Sequence, residues 1–173
     1  MIFSPFFKNE LKIENKHDEK ILTSGINLFI LSSQQVEIDK FSYENIFSNF
    51  EISTINRRKK YSAKQEYIVS RYIIKKIMST IINCEFTHIE TKFNQQLSRL
   101  EALYNNKPLP VSISISHSKG MVCIALSQTD QTFGVDLEHI NQKRSFIKLA
   151  NHFYHENEVQ LISTSKQPHN IFY

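Results

Sequence analysis

The apolar positions of this chain fall into two periods. Ile68, Val69, Tyr72, Ile73, Ile77 and Ile81 recur three to four residues apart and predict an amphipathic helix running to about Ile82. Ser62-Ala63-Lys64-Gln65 fits a capping box, with Ser62 as N-cap and Gln65 at N3. Elsewhere the period is two. Val111-Ser112-Ile113-Ser114-Ile115-Ser116 alternates and predicts a strand with one buried face, broken by His117-Ser118-Lys119-Gly120. Met121 to Leu126 is continuously apolar, so a second and more buried strand closes a hairpin. Phe133, Val135 and Leu137 alternate again, which predicts a strand over 132–138 with Asp136 and Glu138 on its opposite face.

Weaker patterns fill the remainder. Ile26 to Leu31, after Gly25, reads as a buried strand, 34–50 as an irregular helical region, and Phe86 to Thr91 as a short strand. Residues 104–110 form a turn, where Asn105 and Asn106 tolerate left-handed backbone. Ser145 opens a helix whose apolar side is Phe146, Leu149, Ala150 and Phe153. Glu156 and Glu158 follow at its end or at the next turn.

Length and composition set bounds on this picture. The 173 residues suffice for one full domain or one and a half small ones, and 40% hydrophobic with 22% charged is an ordinary globular balance. A net charge of +4 suits a polyanionic ligand or an acidic partner, and is modest for nucleic acid. Cys84 and Cys123 are too few for a disulfide framework and read as buried small residues in a reducing cytoplasm. His152 and His155 lack a third metal ligand and read as surface residues. The first residues lack the basic start and apolar run of a signal peptide, and no apolar run approaches membrane-spanning length, so no membrane and a cytoplasmic location are expected.

Charge is not evenly spread. Lys64, Arg71 and Lys75 fall within roughly 40° of one another around the predicted helix, a basic stripe preceded by Arg57, Arg58, Lys59 and Lys60. Such a stripe is either a solvated helix face or an anion site. Asp136 and Glu138, about 6–7 Å apart between Cα atoms on one strand face, can converge on a hard cation such as Mg²⁺. The Ser-His-Ser-Lys-Gly turn at 116–120 offers phosphate donors, and together the two features suggest a pyrophosphate-containing substrate.

Three segments in order then carry a specific resemblance: Ile113-Ser114-Ile115-Ser116-His117-Ser118, Gly134-Val135-Asp136-Leu137-Glu138, and Phe153-Tyr154-x-x-x-Glu158. This series resembles the signature motifs of the 4′-phosphopantetheinyl transferases of the surfactin-synthetase-activating type. Asn106-Lys107-Pro108 resembles the family's Gly-Lys-Pro turn with Asn in place of Gly, and the helix of Arg71 and Lys75 its basic helix. The resemblance covers about 57–173; residues 1–56 match only in general plan.

The resemblance implies an α+β fold, with a first α/β half over 1–130 and the start of a pseudo-twofold-related second half over 131–173. It implies Mg²⁺-dependent transfer of phosphopantetheine from coenzyme A to a serine of an acyl or peptidyl carrier protein, without nucleic acid. Asp136 and Glu138 would hold the metal. Ser116 and His117 would contact coenzyme A phosphates, and Lys107 would sit beside the nucleotide. Arg57, Lys60, Lys64 or Arg71 would bind the 3′-phosphate, and Glu158 matches an acidic position near the chemistry.

The family's following W-x-x-K-E motif should begin where the chain stops, at Asn170-Ile171-Phe172-Tyr173, and there is no Trp. The expectation is therefore a C-terminally truncated member with little or no activity alone. The family is monomeric, but here Phe146, Leu149, Phe153, Ile171 and Phe172 would be exposed, favouring a dimer or aggregation. The alternatives are a non-catalytic protein that binds coenzyme A or a carrier protein and, last, a nucleic-acid-binding domain built on the basic segment. The last does not explain the Ser-His-Ser or Asp-x-Glu motifs.

Overall fold

The computed structural model describes residues 25–36, 43–129, 131–141, 143 and 145–172. The N-terminal segment read for a signal peptide lies outside the described residues, as does 37–42 within the predicted helical region 34–50. The chain divides into two compact units, Met1–Leu137 and Glu138–Tyr173.

The first unit is a mixed α+β structure. Its strands are β1 (Asn27–Ser32), β2 (Ile89–Asn94), β3 (Arg99–Tyr104), β4 (Lys107–Pro108), β5 (Ser112–Ser118) and β6 (Met121–Ser127). They form one six-stranded antiparallel sheet in the order β1-β6-β5-β3-β2, with β4 paired to β3. Its helices are α1 (Tyr43–Ile46), α2 (Asn49–Arg57) and α3 (Tyr61–Ile82).

Two tight hairpins set the register, and each uses left-handed residues. Asn105 and Asn106, at φ 50° and 61°, close β3 onto β4. Lys119 and Gly120, at φ 53° and 81°, close β5 onto β6 with Ser118 opposite Met121. A two-residue turn with positive φ at both positions matches the strand twist. Strand β5 therefore runs through His117 and Ser118 rather than breaking at His117.

Helix α3 is buried on more than one side. Val69, Ile73, Ile74, Ile77 and Met78 pack on Phe29, Ile89, Leu100, Ala102, Ile113, Val122, Ile124 and Leu126 of the sheet. Ile68 and Tyr67 pack instead on Ile46, Phe47 and Ile55 of the α1–α2 region. Asn83 ends α3 in the left-handed conformation, φ 51°. Asparagine adopts that geometry at helix C-termini more readily than most residues.

Several sequence expectations are corrected here. The helix begins at Tyr61 with Lys60 as N-cap and no side-chain cap, so Ser62 and Gln65 form no capping box. Gln65 instead donates its amide to Ser33 O and Val36 O, at 3.3 and 3.2 Å. A capping box does form at Ser48 and Glu51, at the start of α2. Strand β2 starts at Ile89, after a 3-10 turn at Phe86–His88, so Phe86 to Thr91 is a strand only in its second half. Strand β1 is less buried than its apolar sequence predicts: it lies at the sheet edge, and Ile30 is 42% exposed.

Lys75 is the largest correction. It belongs by sequence to the basic stripe, yet it is 1% exposed. Its Nζ lies 2.7 Å from Glu51 Oε2 and donates to Ile46 O at 2.7 Å. Glu51 is itself fully buried and also accepts from Thr91 N and Thr91 Oγ1 of β2. Burial pushes the Lys75 ammonium below its ordinary range, and Glu51 opposes that shift.

The second unit holds α4 (Phe146–Phe153), α5 (Glu156–Thr164) and α6 (Pro168–Phe172). Ala150 and Ile162 are buried, and Phe146 and Leu149 half-buried. Phe153 and Ile171 are exposed, as expected for them, whereas the Phe172 side chain lies outside the described residues. No described helix is long and apolar enough to cross a membrane.

Removing one member of a buried ion pair leaves the other charge uncompensated. Lys75→Ala is therefore expected to lower the unfolding free energy by about 3–5 kcal/mol. Lys59→Ala, at an exposed position, should change it by no more than about 0.5 kcal/mol. Urea denaturation of both variants measures this, and equal small losses would show that the pair contributes nothing.

Candidate functional site

The predicted site residues lie in several places. The first is an arginine cleft of about 240 Å³ in the first unit, lined by Phe50, Thr54, Arg57, Arg58, Tyr67, Arg71, Thr91, Phe93 and Leu100. The guanidinium carbons of Arg58 and Arg71 each lie 4.6 Å from the centroid of the Tyr67 ring, within range of a cation–π attraction. Tyr67 is held by its place in the α3–α2 core, so the ring fixes both arginines. The buried Nε atoms of Arg58 and Arg71 have no hydrogen-bond partner among the described residues. Burial pushes the Arg71 guanidinium down, and Tyr67 and Glu51 oppose that. A buried donor without an acceptor costs free energy that an entering anion would relieve.

Of the residues assigned to the 3′-phosphate, Arg57 and Arg71 line this cleft, and Lys60 and Lys64 do not. Lys60 is exposed at the start of α3 and Lys64 is half-buried. Arg58 and Tyr67 were not assigned from the sequence. Arg58 stood in the basic run, but only the packing of α2 on α3 distinguishes it from Lys59. Lys107 is exposed on β4, opposite Tyr104, and does not line the cleft.

The second place is the outer face of β5. Ser112, Ser114 and Ser116 alternate with Ile113 and Ile115, so their hydroxyls share the face opposite the core. That face is not left to solvent. Gln131 N donates to Ser112 Oγ, Val135 N to Ser114 Oγ and Leu137 N to Ser116 Oγ, at 3.1, 3.0 and 3.0 Å. The cross-strand neighbours Cys123 and Ala125 are correspondingly buried, 2% and 1% exposed. Cys84, in contrast, is only half-buried.

This ladder corrects the predicted strand over 132–138. The burial of the segment alternates, with Phe133, Val135 and Leu137 half-buried and Asp136 exposed, but among the described residues it pairs with no strand. The N–H groups of Val135 and Leu137 go to serine hydroxyls instead of a backbone ladder. Ser116 also donates to Asp136 Oδ1 at 3.0 Å, and Leu137 N reaches the same oxygen at 2.9 Å. Asp136 is thus an exposed carboxylate held in one orientation. Such oxygen donors suit a hard cation, which needs only one or two carboxylates beside water and phosphate. Among the described residues, no three His, Cys, Asp or Glu side chains cluster as a metal site.

Next to Ser116, His117 Nδ1 lies 3.0 Å from Glu66 Oε2, and Glu66 Oε1 accepts from Gly120 N at 2.7 Å. Glu66 was not singled out from the sequence. It sits at a position that reads as one more charge on the helix.

The second unit holds Glu138 and Glu158. Glu138 is exposed. Glu158 is at N3 of α5, where its Oε2 accepts from His155 N at 2.9 Å while His155 Nδ1 accepts from Asn157 N at 3.3 Å. The two form a capping box, a role that assignment to the chemistry did not include. His152 is exposed, as expected of a surface residue.

No protein-family model matches this chain, and no curated protein matches it.

The serine ladder is testable in solution. Ser114→Ala with Ser116→Ala should speed amide exchange at Val135 by roughly tenfold, about one lost hydrogen bond, and by less at Leu137, whose N–H keeps Asp136 Oδ1. Core amides of β6 should be unaffected. Unchanged exchange at Val135 and Leu137, read by NMR, would show that the hydroxyls do not hold the segment.

Proposed function

We propose that this chain acts on coenzyme A, as the coenzyme A-binding part of a Mg²⁺-dependent transferase that moves phosphopantetheine to a carrier-protein serine. The observation that carries the reading is the arginine cleft, where the half-buried Arg58 and Arg71 each hold a buried Nε–H with no acceptor among the described residues, beside a third arginine. A phosphate supplies three acceptor oxygens to such donors. Phe50 and Phe93 on its wall suit a ligand with a flat ring as well as a charge.

In this reading Arg57, Arg58 and Arg71 hold the 3′-phosphate, and His117 meets a further phosphate at the end of the β5–β6 hairpin. Asp136 would hold the Mg²⁺, and Ser116 keeps its carboxylate in one orientation. When bound, the ion supplies charge neutralisation at the pyrophosphate and the leaving 3′,5′-ADP. A binding-only reading has one observation beside it: Glu158, the residue assigned to the chemistry, serves through Oε2 as the N3 residue of the α5 cap.

The 3′-phosphate assignment predicts that coenzyme A binds more tightly than 3′-dephospho-coenzyme A by about 1.5–3 kcal/mol. Arg71→Met should remove most of the difference. Titration calorimetry with both ligands measures it, and equal affinities would sink the assignment.

Mass spectrometry of an apo carrier protein incubated with the chain, coenzyme A and Mg²⁺ separates the two readings. Transfer to the serine, lost in Asp136→Ala, supports the enzyme. Coenzyme A binding without transfer supports the binding-only reading, and the absence of both overturns the proposal.

A further inference from the structure

Glu66 is an unusual residue for its position. It lies on α3, is 6% exposed, and spends both carboxylate oxygens on the end of the β5–β6 hairpin. Buried carboxylates are rare unless paired, and this one is paired with a side chain that is itself 41% exposed. One oxygen fixes the hairpin backbone at Gly120, where φ is 81°. The other fixes a ring.

Ring nitrogens of histidine are distinct, and the partner of one decides what the other presents. Nδ1 faces Glu66 Oε2 at 3.0 Å, so that edge of the ring is occupied and Nε2 is the edge left to a ligand. Among the described residues Nε2 has no partner. The neighbouring Ser116 is occupied by Asp136 and Leu137. The exposed edge of His117 is therefore backed by a buried carboxylate.

We propose that Glu66 is the positioning residue of His117: its carboxylate, packed against Nδ1, sets the ring so that Nε2 faces a phosphate of the bound ligand. This rests on the coenzyme A reading for the identity of that ligand, though not for the state of the ring. Glu66 does not touch the ligand and acts only through His117.

Two measurements test it. The first is the ¹⁵N spectrum of His117 in the free protein near neutral pH, assigned with His117→Gln. Nδ1 should carry a proton, and Glu66→Gln should shift its resonance; a neutral ring protonated only at Nε2 overturns the proposal. The second is a double-mutant cycle with coenzyme A as the titrant. Glu66→Gln should weaken binding roughly tenfold, the lower end of what loss of the carboxylate behind a metal-ligating histidine costs. In the His117→Gln background it should change affinity by less than about twofold. Equal weakening in both backgrounds would mean that Glu66 acts through the Gly120 turn and not through the ring, and would overturn the proposal. Failure of the wild type to bind coenzyme A removes the proposed ligand and overturns the phosphate half, while the ¹⁵N spectrum still decides the positioning half.

Discussion

One buried carboxylate ties most of the first unit together. Glu51 takes the Ser48 N–H to close the α2 cap, the Thr91 N–H and hydroxyl from β2, and the Lys75 ammonium from α3. Lys75 passes the connection on to Ile46 O at the end of α1. Each donor would be costly if left unpaired so deep in the protein. The pair is not a source of net stability by itself, since desolvating two charges offsets much of their attraction. Its value is in fixing where α1, α2, α3 and β2 meet. The arginine cleft is lined from α2, α3, β2 and β3, so its shape depends on this junction.

Helix α3 distributes chemistry around its circumference. Lys75 points into the junction, Arg71 lines the cleft, and Glu66 reaches the β5–β6 hairpin. Glu66 and Arg71 are five residues apart and so lie roughly 140° from each other around the helix. A single rigid element thus supports both an anion-binding cleft and the hairpin carrying Ser116 and His117. The hairpin in turn supports Asp136 through a serine ladder made of side chains, not backbone. That arrangement leaves the Asp136 carboxylate exposed and oriented.

Local pattern made much of the fold legible. The period of the apolar residues located α3 to its last residue, and strict alternation located β5. The continuous apolar run located β6, and the paired asparagines located the β3–β4 turn. Caps were less legible. Ser62-x-x-Gln65 and Ser48-x-x-Glu51 look alike as strings, and only the second closes, because Gln65 finds tertiary acceptors in Ser33 and Val36. The segment 132–138 had the alternation of a strand, but alternation reports which side chains turn inward, not what the backbone bonds to.

The same division holds for the candidate site. Sequence by itself determined the residue types, their order and the face each takes on its own element: serines on one side of β5, basic residues along α3, Asp136 opposite Phe133 and Val135. These follow from periods of 2 and 3.6 residues, which are fixed by backbone geometry. Tertiary structure decided which charges are free. Lys75 and Arg71 share a stripe in sequence, yet one is consumed by a buried glutamate and the other keeps an unpartnered donor in a cleft. Glu66 reads as a surface charge until the hairpin comes to rest against it. Burial and pairing arise from elements far apart in the chain, and a charge's chemistry depends on them more than on its own neighbours.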